Sequence, residues 1–529
     1  MTRGGTADGP TFLTPEQAAA VVPDGATLAI GGSGGGLLEP DALLAALGKH
    51  YRNTTHPAGL TLVHTTGIGD RAGGGMDHLA HPGLADRVIA GNWGMAPQMS
   101  RMAAAGEFEA YNFPQGVMSQ LYREIAAGRP GLLTHVGLGT FCDPRVEAGR
   151  LNDRSQGTYV EVVELAGREW LFYPSFDIDV CFIRGTVADE HGNIAMGEEP
   201  ARLEMLAMAQ ATHNRGGTVI AQVKYVVEAG SLDARTVEIP GILVDHVVAC
   251  PDQRQLVTHD YNPGFSGELT VALSTLPAFD LDERKVVARR AVREIRAGDV
   301  VNLGVGIADG IASVAAEEGV SDRFTLTIEQ GLVGGIPARG VIFGVSTNPS
   351  AILDQPAQFD FYDGGGLDIA FLGFAQIDAV GNVNVSKFGG RVVGTGGFVN
   401  ISQNAATVVF CGTFTAGGLQ AHPADGALTI AAEGRHRKFV TAVDQITFSA
   451  AEALRRGQRV LYVTERAVFA LTDAGLELIE VAPGVDAQRD VLDQLPFAVG
   501  AGDVTPMATD IFRPDLLGLA HDLDRSDTP

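Results

Sequence analysis

The sequence is poor in several residues on which whole classes of function depend. Only four cysteines occur, Cys142, Cys181, Cys250 and Cys411, and none forms a CxxC pair. That argues against a disulfide framework or a cysteine zinc site, so no metal is expected, and it fits a reduced setting. Basic residues are scarce, 38 Lys and Arg against 63 Asp and Glu, for a formal net charge of -25. Nucleic acid and anionic membrane both demand a basic face, so neither is expected as the main partner. No run of 18 apolar residues occurs, so no membrane-spanning segment is expected. The opening MTRGGTADGP lacks the basic-then-apolar order of a secretory signal. The expected location is therefore cytoplasmic. Residues 1–11 and the tail RSDTP read as frayed ends.

What the chain does have is length, apolar content and glycine. Its 529 residues exceed the roughly 250–300 at which one core stops growing. Two large α/β domains, or three to four small ones, fit that length. Many of the 68 glycines follow apolar runs, as in LAIGGSGGG and VVNLGVGIADG. Glycine there permits sharp turns and close approach of a ligand to backbone.

The chain also repeats itself. In LTPEQAAAVVPDGATLAIGG, Thr14 can cap a helix, Pro15 suits its first position and Gln17 completes a capping box. A PDG turn follows, then the short strand ATLAI, ending at Gly31 and Gly32. FDLDERKVVARRAVREIRAGDVVNLGVG gives the same series: a capped helix, Gly298 as its stop, and a strand ending at Gly304 and Gly306. A second echo pairs Asp189, Gly192 and Asn193 with Asp378, Gly381 and Asn382, two D-x-x-G-N turns between apolar strands. Two echoes in matching order indicate a duplicated pair of domains, 12–275 with an insertion and 282–520. The linker is expected within HDYNPGFSGELTVALSTLPAFD. Strands alternate with helical stretches such as ARLEMLAMAQATHNRGG and SAAEALRRGQ, which implies α/β domains with mostly parallel sheets. Ligands then bind at the carboxyl ends of the strands, where the glycine loops lie.

In RFTLTIEQGLVGGIPARG, the apolar strand ends at Glu329 and is followed by Gly331, Gly334 and Gly335. A carboxylate held and desolvated in such a place can attack a thioester. The same carboxylate could instead cap the next segment or face solvent. A nicotinamide site also uses a glycine loop followed by an acid at the next strand end, but Gly304, Gly306 and Gly310 give G-x-G-x-x-x-G, a loose match. The loop could still hold a phosphate-bearing ligand at a helix N-terminus. GGSGGG lacks the G-K-[ST] of a P-loop. His191 lies in a turn whose counterpart has no histidine. Cys142 and Cys411 have no evident base, and Trp93 suits loop packing more than an acyl pocket.

DGATLAIGGSGGGLLEP, AYNFPQGVMSQLYREIAAGRPG, TIEQGLVGG, VGTGGFVNISQNAATVVFCGTFTAGG and LIEVAPGVD together resemble class I CoA-transferases, of the fused-chain propionate and acetate type. The likeness runs over residues 12–500, in the order of the repeat. It implies two tandem, related open α/β domains of the NagB/RpiA-like type. It further implies transfer of coenzyme A from a short-chain acyl-CoA to a free carboxylate by double displacement, with no ATP and no metal. Coenzyme A is then a substrate and covalent intermediate, not a tightly bound cofactor. By that resemblance Glu329 is the nucleophile, Gln115 an oxyanion donor, and Gly397 a backbone oxyanion donor. Gly304, Gly306, Gly396 and Lys387 are then expected at CoA, with Arg391 near Lys387, and a homodimer or homotetramer is implied. Where the succinyl and 3-oxoacid branch reads S-E-N-G, this chain reads Ile328-Glu329-Gln330-Gly331, and Ser33 stands where that branch often has an aromatic. Those departures leave the acids exchanged open. An acyl-CoA hydrolase would use the same fold and glutamate. A sugar-phosphate-sensing module of related fold would usually carry one domain and a DNA-binding appendage.

Overall fold

The protein, seen here as a computed structural model, is described over residues 9–272 and 280–526. Residues 1–8, 527–529 and part of the expected linker, 273–279, lie outside the described residues. Two compact units are present. The first takes the chain up to Val271, then Ile328–Asp360 and Gly389–Asn400. The second takes Ala272–Thr327, Phe361–Phe388 and the chain from Ile401 onward. The units are interleaved in sequence, because the segments after Thr327 and after Phe388 pack with the first unit.

The first unit is built on an eight-stranded sheet. Its order is Thr11–Phe12, His246–Ala249, Thr218–Val223, Val180–Arg184, Thr27–Ile30, Leu60–His64, Ala85–Ala90 and Glu109–Asn112. Every pairing is parallel. Side chains alternate between its faces, as a strand requires. Ala29, Val63, Ile89, Cys181, Ile183 and Ala221 pack into one core, while Leu28, Ile30, Leu62, Val88, Phe182 and Ile220 pack into another. Both faces are covered, which is why these strands read as unbroken apolar runs. Thr11 pairs with His246 and Pro10 is buried, so residues 10 and 11 are part of the fold and not of the frayed end expected over 1–11.

The second unit repeats this topology. Strand Val300–Leu303 lies between Thr325–Ile328 and Ile369–Gly373, followed by Thr407–Cys411 and Arg459–Val463, all parallel. The first unit has Thr27–Ile30 between Leu60–His64 and Val180–Arg184, then Thr218–Val223 and His246–Ala249. Details recur as well. Thr27 N–H donates to the Asp179 carboxylate, and Val300 N–H to that of Asp368, each at 2.8 Å. Both D-x-x-G-N turns close alike: Asp189 accepts from Asn193 N–H and Nδ2 at 2.9 and 3.0 Å, and Asp378 from Asn382 N–H and Nδ2 at 2.9 and 3.1 Å. Gly192 and Gly381 sit at φ 82° and 94°, where a side chain would be strained.

The helix starts follow the sequence. Thr14 Oγ1 accepts from Gln17 N–H at 3.2 Å, while Gln17 Oε1 accepts from Thr14 N–H at 2.9 Å, opening the helix Pro15–Ala19. Asp282 caps Glu283–Ala291. Gly298 does not stop that helix. The chain leaves it through a short turn at Val292–Glu294, and Gly298, at φ 85°, sits in the bend before the strand.

Glu39, beyond the first glycine loop, is buried, with Oε1 accepting from Gly69 N–H at 2.7 Å. Burial pushes its carboxyl up to about 8. The folded state therefore holds a proton that the unfolded chain releases near 4.5, and Glu39 costs stability as pH rises from there toward 8. Glu39→Gln keeps the shape without the titration. Its stability relative to wild type should rise between pH 5 and pH 8.5, by a few kcal/mol, read from paired denaturant melts; parallel curves would refute the assignment.

Candidate active site

Glu329 follows the strand Thr325–Ile328 and is 8% exposed. The turn after it depends on glycine. Gly331 has φ 107°, and a Cβ there would lie 2.3 Å from Leu353 O; at Gly335, φ 74°, a Cβ would lie 2.4 Å from Thr347 O. Gly331 N–H donates to Ile328 O at 3.0 Å, and Leu353 N–H to Gly331 O at 2.8 Å. The turn carrying Glu329 is thereby fastened to the segment leading into Gln355.

Gln355 connects this turn to Gln115. Gln115 opens the helix Gln115–Ala126, directly after Pro114, and is buried. Its Nε2 donates to Gln355 Oε1 at 3.1 Å, and its backbone N–H to Gly396 O at 3.0 Å. The Gly394–Gly397 loop is held over the same place. Gly396 N–H donates to Gly91 O at 2.7 Å, Thr395 N–H to Asn112 Oδ1 at 3.0 Å, and Gly116 N–H to Asn400 Oδ1 at 3.1 Å. Two donors stay unused among the described residues: the second hydrogen of Gln115 Nε2 and the N–H of Gly397. Unused, fixed N–H groups on the same hydrogen-bonded frame as a buried carboxylate can stabilise an oxyanion.

The first glycine loop joins the same frame through Ser33, whose Oγ accepts from Gln330 Nε2 at 3.5 Å. Behind Gln355, its Nε2 donates to Glu204 Oε2 at 3.1 Å and its backbone N–H to Leu203 O at 3.0 Å. Burial pushes the Glu204 carboxyl up to about 7. Glu204 and Gln355 escaped the sequence reading. Neither carries a local signal of the partner it meets 151 positions away.

The expected CoA positions fare differently. Gly304, Gly306 and Lys387 belong to the second unit, Gly396 to the first. The N–H groups of Gly304 and Gly306 are already taken, by Phe371 O at 2.7 Å and by Asp309 Oδ1 at 3.1 Å. Gly396 N–H is spent on Gly91. None of the three is thus a free donor for phosphate, which corrects the cradle expected of Gly304 and Gly306. Lys387 N–H donates to Asn384 Oδ1 at 3.3 Å on a half-buried strand. Arg391 is exposed. Trp93 is buried and stacked on Phe108, with ring centroids 6.2 Å apart, and is packing for its loop. His191 is an exposed turn residue. Burial pushes the Cys142 and Cys411 thiols up, so neither is a ready nucleophile. No group of three or more His, Cys, Asp or Glu among the described residues could hold a metal ion, and no helix among them is long and apolar enough to cross a membrane.

Comparison with known proteins bears on this geometry. Residues 12–250 match the model of the family described as Coenzyme A transferase. The chain is 47% identical over 486 residues to the acetate CoA-transferase YdiF of Escherichia coli K12, covering 92% of each chain. It is 44% identical over 511 residues to the caffeate CoA-transferase of Acetobacterium woodii, covering 95% of this chain and 97% of that one. The crystal structure of the acyl-CoA transferase YdiF apoenzyme from E. coli O157:H7 superposes with a TM-score of 0.93 at 44% identity, covering 98% of this chain and 99% of the other. A second structure of that protein, a thioester complex with CoA, gives a TM-score of 0.92. The mostly parallel α/β architecture, its glycine-lined strand ends and similarity over more than nine-tenths of the chain make this protein an enzyme of the coenzyme A transferase family.

Proposed function

We propose that this enzyme moves coenzyme A from a short-chain acyl-CoA to a free carboxylate through a thioester on Glu329. One observation carries the reading: a buried carboxylate at a strand end, on the hydrogen-bonded frame that also presents two unused N–H donors, Gln115 and Gly397. The thioester complex described for the E. coli relative supports it.

A Glu329 oxygen attacks the thioester carbonyl carbon, and the carbonyl electrons move onto an oxyanion. Collapse breaks the C–S bond and releases CoA thiolate, leaving an acyl-glutamyl anhydride. The thiolate attacks the glutamyl carbonyl, expels the first carboxylate and leaves Glu329 as a CoA thioester. An acceptor carboxylate then runs the two steps backward. One thioester is exchanged for another, so no ATP is needed. Each tetrahedral species carries an oxyanion that the Gln115 amide and the Gly397 N–H are suited to meet. Gly304, Gly306 and Gly396 then serve CoA by lacking a side chain, not as donors, and Lys387 supplies charge. The acids are short-chain, with acetate and propionate first. The relatives named for acetate and caffeate mark the acid as the variable part of this chemistry. The protein works in the cytoplasm as a homodimer or homotetramer, from the duplicated halves 12–275 and 282–520.

The test is intact-protein mass spectrometry after incubation with acetyl-CoA or propionyl-CoA and no acceptor. A CoA-sized adduct on the wild type, absent in Glu329→Gln, is expected. No adduct with free CoA accumulating would mean a hydrolase; neither adduct nor CoA would mean a binding module. A second expectation concerns the donor. Gln115→Ala should lower kcat by about 10²–10³ with little change in KM, the usual cost of one oxyanion donor. A wild-type kcat would remove Gln115 from the chemistry.

A further inference from the structure

We infer that Glu204 and Gln355 are positioning residues that fix which way round the Gln115 amide points. The inference rests on Gln115 being the oxyanion donor. A carboxamide has nearly the same shape when flipped, so only its hydrogen-bond partners decide whether N–H or C=O faces a reacting atom. Gln115 shows its Nε2 to Gln355, which by itself decides nothing, because Gln355 is an amide too and the pair could flip together. Glu204 breaks that symmetry. Ionised, as it is above about pH 7, it only accepts, so Gln355 then turns its NH₂ toward Glu204 and its carbonyl toward Gln115. Gln115 must then present its own NH₂, one hydrogen held at 3.1 Å by Gln355 and the other left for substrate.

The frame is built to hold this order. Gln115, Gln355 and Glu204 are all at least 98% buried, so water does not compete for their bonds. Gln355 is gripped a second time through its backbone, which donates to Leu203 O at 3.0 Å. Leu203 is itself in the left-handed region at φ 50°, a strained conformation for a leucine, and its carbonyl and Glu204 hold the two ends of Gln355. Glu204 caps no helix N–H with its side chain, although it stands at the N-cap of Met205–Asn214. Its Oε1 makes no geometric hydrogen bond among the described residues, although the Thr65 hydroxyl lies close enough to favour the carboxylate. Burying a carboxyl costs stability, and orienting the donor gives that burial a function.

The test compares adduct formation from acetyl-CoA, followed by quenched mass spectrometry at pH 8.5. Glu204→Gln, isosteric and able to donate or accept, should leave the melting temperature unchanged or higher. It should slow adduct formation between about tenfold and the 10²–10³ of losing the donor, with KM little changed. Gln355→Met, which deletes the acceptor at a similar length, should slow it as well and serves if Glu204→Gln folds poorly. The double variant Glu204→Gln/Gln355→Glu moves the acceptor-only group next to Gln115 and should recover most of the rate. Adduct at the wild-type rate in Glu204→Gln, or a double variant no faster than the single, would overturn the inference. An absence of adduct in the wild type itself would instead overturn the glutamyl thioester.

Discussion

Glu329→Ala is expected to abolish CoA transfer, by at least about 10⁴-fold in kcat, the scale on which enzymes lose a covalent nucleophile. The two donors proposed for the site, the Gln115 amide and the Gly397 N–H, are neutral and cannot replace it, because an N–H donor forms no bond to carbon. The fold should survive. The turn is held by backbone bonds, Gly331 to Ile328 and Leu353 to Gly331, which the substitution leaves in place. Removing a carboxylate that is only 8% exposed also removes a desolvation cost. Glu329→Gln should be as inactive, because an amide oxygen is too weak a nucleophile to open a thioester. Glu329→Asp keeps the chemistry but draws the oxygens back by one methylene, and misplacement by about 1 Å can cost 10²-fold. The readout is turnover with acetyl-CoA and a carboxylate acceptor, beside circular dichroism and a melt. Wild-type turnover in Glu329→Ala would end the mechanism.

Much of this arrangement was legible in the sequence wherever a local rule carried it. The Thr14–Gln17 capping box and the Asp282 cap lie within three or four residues of what they bind. So do the two D-x-x-G-N turns, each closed by an Asp that accepts from the Asn four residues on. Glu329 stood out because a strand and its glycines bracket it. The failures share a physical origin. Gly304 and Gly306 looked like open donors, but a strand-end N–H is claimed by the neighbouring strand, here Phe371, and a turn N–H by the first nearby carboxylate, here Asp309. Gly298 looked like a helix stop, but the helix was already ended by the turn at Val292–Glu294. Gln355 and Glu204 were invisible because their significance lies in bonds spanning 240 and 151 positions. A single sequence holds no trace of such pairings.

The second large effect falls on Arg184, which no motif singled out. Arg184 ends the strand Val180–Arg184, beside Thr27–Ile30, where the strand order reverses and the first glycine loop departs. It is fully committed. Its Nε and one terminal nitrogen grip the buried Glu199 at 2.9 and 3.1 Å, the other nitrogen reaches Gly36 O and Glu39 O at 3.0 and 3.1 Å, and a further bond goes to Arg254 O at 2.6 Å. The guanidinium therefore closes the far end of the loop that carries Ser33 to Gln330. Arg184→Ala would leave the buried Glu199 carboxylate without its cationic partner and take a donor from the Gly36 and Glu39 carbonyls, and breaking a buried pair on one side costs about 3–5 kcal/mol. Arg184→Lys is no conservative substitute, since three donors on a single point cannot span a carboxylate and two carbonyls. Because Gln253 Nε2 also donates to Glu199 at 3.2 Å, Glu199→Gln should be milder than either. Equilibrium urea unfolding should place the variants in that order, with Arg184→Ala the least stable. Below its unfolding transition, Arg184→Ala should still form the Glu329 adduct more slowly than wild type, since the loop behind Gln330 has lost its anchor. A stability loss under 1 kcal/mol would mean that the loop is held without Arg184.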